Sequence, residues 1–248
     1  GRDNIVGGRD PAAANTIAFN GGAGVLYGGD QRTLILGNSI HSNAGLGIDR
    51  YPPGVEENAF FYTISTDPDY PLLNYALSDS ATSRIRGIMK GRPNTSFELD
   101  FYTNIAPDAS GHGEGQDWRE TATVTTDYLG LAPFYLAFPT SIPAGRFIAA
   151  TSTVSLTSEF SNSVIVVADR DRDGVADAEE DGGPNAGDAD LDGTADSGQN
   201  QVATLRNTGD RQYLTLQSPA GTALYGVWAI ENPSPGNSPY ATPLPLGF

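Results

Sequence analysis

The chain has 248 residues with 30 Gly, 17 Pro, one Met, no Cys and a formal charge of −16. That length can bury a substantial core, while the Gly and Pro content disfavours long helices and favours short strands joined by turns. The acidity excludes nucleic acid and anionic membrane as partners, no apolar run approaches the roughly 20 residues of a membrane span, and the absence of Cys leaves the redox compartment unreadable.

The opening Gly1-Arg2-Asp3-Asn4 has no signal-peptide pattern and is expected to mark a mature form or an excised fragment. Over residues 1–50 the sequence repeats itself. Asn15-Thr-Ile17-Ala-Phe-Asn20-Gly-Gly22-Ala-Gly24-Val25 recurs as Asn38-Ser-Ile40-His-Ser-Asn43-Ala-Gly45-Leu-Gly47-Ile48, every matched position offset by 23 residues. A period in the low twenties predicts coils of a short parallel β-solenoid, in which a coil buries its apolar stripe only when a neighbour stacks on it. Ile17 is expected over Ile40 and Val25 over Ile48, with Asn20 bonding to Asn43 from coil to coil. Asn4-Ile5-Val6-Gly7-Gly8 reads as the remnant of another coil. Solenoids need caps, so something upstream or another subunit is expected to cover the open end.

Residues 51–71, with Pro52, Pro53, Pro68 and Pro71, read as a connection. Residues 72–168 follow as an Ig-like β-sandwich, with strands predicted at Arg84 to Lys90, Ser96 to Asn104, Glu120 to Thr126, Ala132 to Phe138, Arg146 to Thr153 and Asn162 to Val167. Phe97, Leu99 and Phe101 alternate with polar residues and are core candidates.

Residues 169–200 form an acidic linker with a chemical signature. Asp169, Asp171, Asp173, Val175, Asp177 and Glu180 occupy the first, third, fifth, seventh, ninth and twelfth places of a D-x-D-x-D-G calcium loop. Alternating carboxylates converge on one hard cation, Gly174 permits the sharp turn, Val175 offers its backbone carbonyl and Glu180 can supply two oxygens. Asp188, Asp190, Asp192, Thr194, Asp196 and Gln199 repeat the pattern 19 residues later, with a neutral amide at the twelfth place. The implied cofactor is Ca2+. Gly182-Gly183-Pro184 breaks the flanks, so no pair of EF-hand helices is expected, and affinity falls in the weak extracellular range of roughly 10⁻⁴ to 10⁻³ M or somewhat tighter. Residues 201–248 read as a third β module, thin for independent stability, with Tyr213 to Leu216 and Ala223 to Ile230 as its best strands.

These residues resemble known families. The Asn-x-Ile-x-x-Asn-x-Gly-x-Gly element ending at Asp49 resembles the right-handed parallel β-helix repeats of large secreted bacterial proteins. In such proteins a stretch similar to Gly91 through Gln116 and Thr125-Thr126-Asp127 follows the helix. Residues 169–200 resemble thrombospondin type 3-like calcium repeats. Asn200 through Leu205, Asn232-Pro-Ser-Pro235 and Pro245 to Phe248 resemble the start of the bacterial choice-of-anchor domain. That domain normally continues beyond the point matching Phe248, so the expectation is either an incomplete piece of the domain or a missing strand supplied by a neighbouring subunit. The resemblance implies an extracellular or cell-surface protein, and an open solenoid end with an incomplete sandwich suits homo-oligomers or filaments built head to tail or by strand addition.

The sequence reads as non-catalytic. Two coils with Asp49 and Arg50 as their nearby charges offer a poor platform for a polysaccharide-active β-helix enzyme, the third reading. His112, Glu114 and Asp117 stand close in a Gly-rich turn and could hold a metal, but such turns more often bridge strands. His41 is expected to face outward. Trp118, Tyr225 and Trp228 carry the second reading, a glycan-binding or adhesive module, against the commoner half-buried sandwich aromatic.

Overall fold

The computed structural model describes residues 3–28, 32–58, 69–188, 193–199, 204–207, 211–215 and 227–231, the last three segments as backbone alone. Two compact units divide the chain: Gly1–Ala76 with Thr82–Val166, and Leu77–Ala81 with Val167–Phe248.

In the first unit the repeat forms three short strands twice. These are β1 (Asp3–Gly7), β2 (Thr16–Ala18) and β3 (Val25–Tyr27), then β4 (Arg32–Leu36), β5 (Ser39–His41) and β6 (Ile48–Arg50). Each strand of the first set pairs in parallel with its counterpart in the second. Ile17 lies opposite Ile40 and Val25 opposite Ile48, as the 23-residue offset predicts. Asn4-Ile5-Val6-Gly7 is not a separate earlier repeat but β1 itself. Asn4 meets Thr33, 29 residues on, because the link from β1 to β2 is longer and carries a 3₁₀ turn, Pro11–Ala13, capped by Asp10.

Two asparagine rungs tie the sets together. Asn15 donates its backbone and side-chain N–H groups to Asn38 Oδ1, both at 3.0 Å, and Asn20 does the same to Asn43 Oδ1 at 3.2 and 2.8 Å. The second set buries Ile35, Ile40 and Ile48 in one apolar cluster with Tyr102, Ala149, Leu156 and Phe160. Backbone bonds reinforce that contact: Ile40 and Gly115 exchange both N–H···O bonds at 2.7 Å, and Thr157 N–H donates to Thr33 O at 3.0 Å. The Gly-rich turn around Gly115 therefore pairs with the repeat as well as linking strands of its own sheet.

Seven strands build the larger sheet system: β7 (Leu72–Ser78), β8 (Ser83–Lys90), β9 (Ser96–Asn104), β10 (Asp117–Thr125), β11 (Leu131–Phe138), β12 (Phe147–Thr153) and β13 (Val164–Ala168). Their order is β10-β9-β12-β13-β7-β8-β11. β9 and β11 are not neighbours in that order, yet Phe101 meets Phe134 and Phe138 ring to ring at 6.2 and 5.1 Å, so the strands form two layers closed over one core. That is a β-sandwich. Phe97, Leu99 and Phe101 all lie in this core, as their alternation predicts. β10 starts at Asp117 rather than Glu120, through a bulge between Trp118 and Glu120. Pro133 is accommodated because β11 ends the strand order, where one edge needs no N–H donor.

In the second unit, β14 (Thr204–Asn207), β15 (Arg211–Thr215) and β16 (Val227–Glu231) pair antiparallel in that order. Of the predicted runs, 213–215 fall on β15 and 227–230 on β16, while Leu216 and residues 223–226 lie outside the described residues. The Pro-rich tail from Asn232 onward lies outside the described residues.

Candidate metal centre

The first acidic loop is wound by its own carboxylates. Asp169, 0% exposed, accepts from Arg172 N–H on Oδ1 at 2.8 Å and from Gly174 N–H on Oδ2 at 3.1 Å. Asp171 Oδ1 accepts from Asp173 N–H at 3.1 Å, and Asp173 Oδ1 from Val175 N–H at 2.7 Å. Each acid at an odd place thus turns the backbone toward the next, and Gly174 closes the turn at φ 98°, a left-handed geometry that a Cβ disfavours. One carboxylate oxygen from each of Asp169, Asp171 and Asp173 falls in a group within 4.8 Å of one another.

Glu180 completes the arrangement from a short helix, α1 (Asp177–Asp181). Its side chain is 0% exposed and, among the described residues, neither carboxyl oxygen receives a hydrogen bond. Burial, then the charges of Asp173 and Asp171, push its pKa up to about 9. Asp171, whose Oδ2 is also buried without a donor, is pushed up to about 7 by burial and then by Asp173. Buried carboxylates are normally matched by donors or by a cation, because an unmatched one costs several kcal/mol. A hard cation coordinated by oxygen would supply that match, and the clustered carboxylates of Asp169, Asp171 and Asp173 are donors of the kind it takes.

Asp177, the acid at the ninth place, makes its contacts with Arg170. Its Oδ1 accepts from Arg170 N–H at 2.7 Å and its Oδ2 faces the Arg170 guanidinium at 3.4 Å. The structure therefore brings together one oxygen each of Asp169, Asp171 and Asp173, buries Glu180 within reach of their charges, seats Val175 N–H as a donor to Asp173, and pairs Asp177 with Arg170.

The second loop repeats the local winding. Asp188 Oδ2 accepts from Gly193 N–H at 3.0 Å, and Gly193 stands at φ 89°, matching Asp169 and Gly174. A 3₁₀ turn, Asp196–Gly198, occupies the place of α1, packs against it and buries Asp196. Gln199 donates its amide to Thr194 O at 3.0 Å, so two of the predicted ligand positions bond to each other. Asp190 and Asp192 lie outside the described residues.

The other polar candidates are engaged in the fold. His112 Nδ1 meets Phe160 O at 3.0 Å, and Asp117 pairs with Arg119 at 3.4 Å. Glu114 accepts from the backbone N–H groups of Ser42 and Asn43 at 2.7 and 3.1 Å, and His112, Glu114 and Asp117 do not form a group of converging ligand atoms among the described residues. His41 sits beside Ser42 Oγ with Phe19 edge-on to its ring. Trp118 donates its indole N–H to Asp100 at 3.0 Å and packs against the apolar cluster. Asp49 Oδ1 accepts from Gly54 N–H at 3.1 Å and Arg50 pairs with Glu56. Trp228 is described as backbone in β16, and Tyr225 lies outside the described residues.

No protein-family model and no curated protein sequence matches this chain. Among solved structures it is similar to the CARDB domain of a Pyrococcus furiosus protein, crystallised in complex with di-metal ions. That match has 15% identity and a TM-score of 0.23, and covers 44% of this chain and 100% of that one. A likeness of this extent carries no ligand over to the present chain.

Proposed function

We propose that the protein is an extracellular, calcium-stabilised structural or surface protein in which Ca2+ bound by Asp169, Asp171, Asp173 and Glu180 orders the acidic linker. The observation that carries this reading is Glu180: a fully buried carboxylate facing other carboxylates, with no hydrogen-bond donor on either oxygen. Calcium accepts six to eight oxygens at flexible geometry, whereas Mg2+ demands a near-ideal octahedron and sheds water reluctantly, so an all-carboxylate loop favours calcium. Millimolar calcium outside cells would keep such a loop loaded, and ligation of the ordered form stabilises it by mass action.

The paired strands of the repeat support reading residues 1–50 as two coils of a parallel β-solenoid. A rigid repeat joined to a sandwich, followed by an ion-ordered linker, suits a part in a surface appendage rather than a catalyst. Head-to-tail or strand-addition assembly into oligomers or filaments belongs to the same proposal; light scattering of concentrated protein in calcium should show large particles, and a strictly monomeric species would remove that part.

Limited proteolysis tests the proposal as a whole. With calcium, residues 169–199 should resist cleavage, and a chelator should open that segment first. Equal cleavage rates with and without calcium would contradict it.

A further inference from the structure

Outside the carboxylates, one residue of the first loop adopts a backbone geometry that its side chain does not favour. Arg172 stands at φ 72°, in the left-handed region where Gly or Asn is usual. Two contacts hold it there. Its backbone N–H donates to Asp169 Oδ1 at 2.8 Å, and its guanidinium grips the carboxylate of Asp79 in the turn after β7, with Nε to Oδ2 at 2.9 Å and Nη2 to Oδ1 at 3.2 Å. The Asp79 side chain is 1% exposed and its Oδ1 also accepts from Ala81 N–H at 2.6 Å, so it is fixed at both ends. Asp169 N–H donates to Ser78 O at 2.9 Å, tying the same turn to the first ligand by a second route.

We propose that Arg172, clamped by Asp79, is the positioning residue of the cation site: it aims Asp169 at the ion without touching the ion. Planar two-point pairing fixes the guanidinium, the fixed side chain holds the unusual backbone, and that backbone orients the Asp169 carboxylate. Outer contacts of this kind typically change metal affinity about 10–100-fold when removed. The inference rests on the reading of the loop as a calcium site.

The test is calorimetric titration of Ca2+ into chelator-stripped full chain, comparing wild type with Arg172→Asn, Arg172→Lys and Asp79→Asn. Asn tolerates the left-handed backbone, so Arg172→Asn removes the guanidinium without straining the turn. A Kd raised about 10-fold or more in Arg172→Asn and Asp79→Asn, at unchanged ion count and with partial recovery in Arg172→Lys, supports the clamp. Affinities within about twofold of wild type in both variants, or a loss that Lys does not recover at all, overturn it while leaving the calcium site standing. If wild type itself takes up no ion, both the site and the clamp fall.

Discussion

Asp100 in the first unit and Glu180 in the second are each 0% exposed, yet their surroundings are opposite. Asp100 takes both prongs of the Arg9 guanidinium at 2.8 Å, the Trp118 indole N–H at 3.0 Å and the Thr121 hydroxyl. Its charge is used to fasten the strand repeat to β9. Glu180 has no donor on either oxygen among the described residues, and the charges of Asp173 and Asp171 act on it. A buried carboxylate whose donors are all supplied by the chain belongs to the fold; under the proposal, one left without them belongs to the cation. Glu159 and Glu114 fall on the Asp100 side of that line. Glu159 accepts from the backbone N–H groups of Arg50 and Glu56, Glu114 from those of Ser42 and Asn43.

The sharpest way to break the comparison is to truncate Asp100. Asp100→Ala leaves Arg9 with Glu98 as its carboxylate partner and strips the Trp118 indole N–H and the Thr121 hydroxyl of their acceptor, and should cost about 3 kcal/mol in chemical denaturation, equally with and without calcium. Stripping calcium should instead lower the unfolding free energy of the wild type by about 2.7 kcal/mol relative to a concentration 100 times Kd. Glu180→Gln should reverse sign between the two states, easing the ion-free protein and abolishing the gain from calcium. The same logic fixes the pH response. Glu180 and Asp171 bind protons more tightly folded than unfolded, so the stability they contribute is present at acid pH and is lost as pH rises through the ordinary carboxylate range to about 9 in the ion-free protein. Saturating calcium should flatten that decline over the upper part of this window, and thermal unfolding at a series of pH values reads it.

Smaller effects probe the repeat. A Cβ on Gly24 would lie 2.6 Å from Gly47 O and 2.9 Å from Asn43 Nδ2, so Gly24→Ala should force the two strand sets apart and cost roughly 1–3 kcal/mol. Asn20→Ala removes one exposed rung and should cost about 1 kcal/mol or less, again without changing calcium dependence.

The features legible in the sequence were those that repeat at fixed spacing. The 23-residue offset named the Ile17–Ile40 and Val25–Ile48 partners and the Asn20–Asn43 rung, and the D-x-D-x-D-G spacing named the acids that the structure gathers. What escaped were single contacts between distant positions, which leave no local pattern. Arg9 with Asp100 and Arg172 with Asp79 stand 91 and 93 residues apart. Glu114 and His112 read as neighbours in a polar turn, but their partners at Asn43 and Phe160 lie 71 and 48 residues away. The contact of Asp177 with Arg170, seven residues back, also left no trace in the ligand spacing.

The most direct test of the central claim is calcium titration of chelator-stripped protein by calorimetry, run on wild type and Glu180→Gln side by side with their thermal unfolding. Saturable binding by wild type with a raised melting temperature, and loss of both in Glu180→Gln, is the result this account predicts. Absence of binding at millimolar calcium, or equal binding by the two proteins, would contradict it and reduce the loop to an acidic linker.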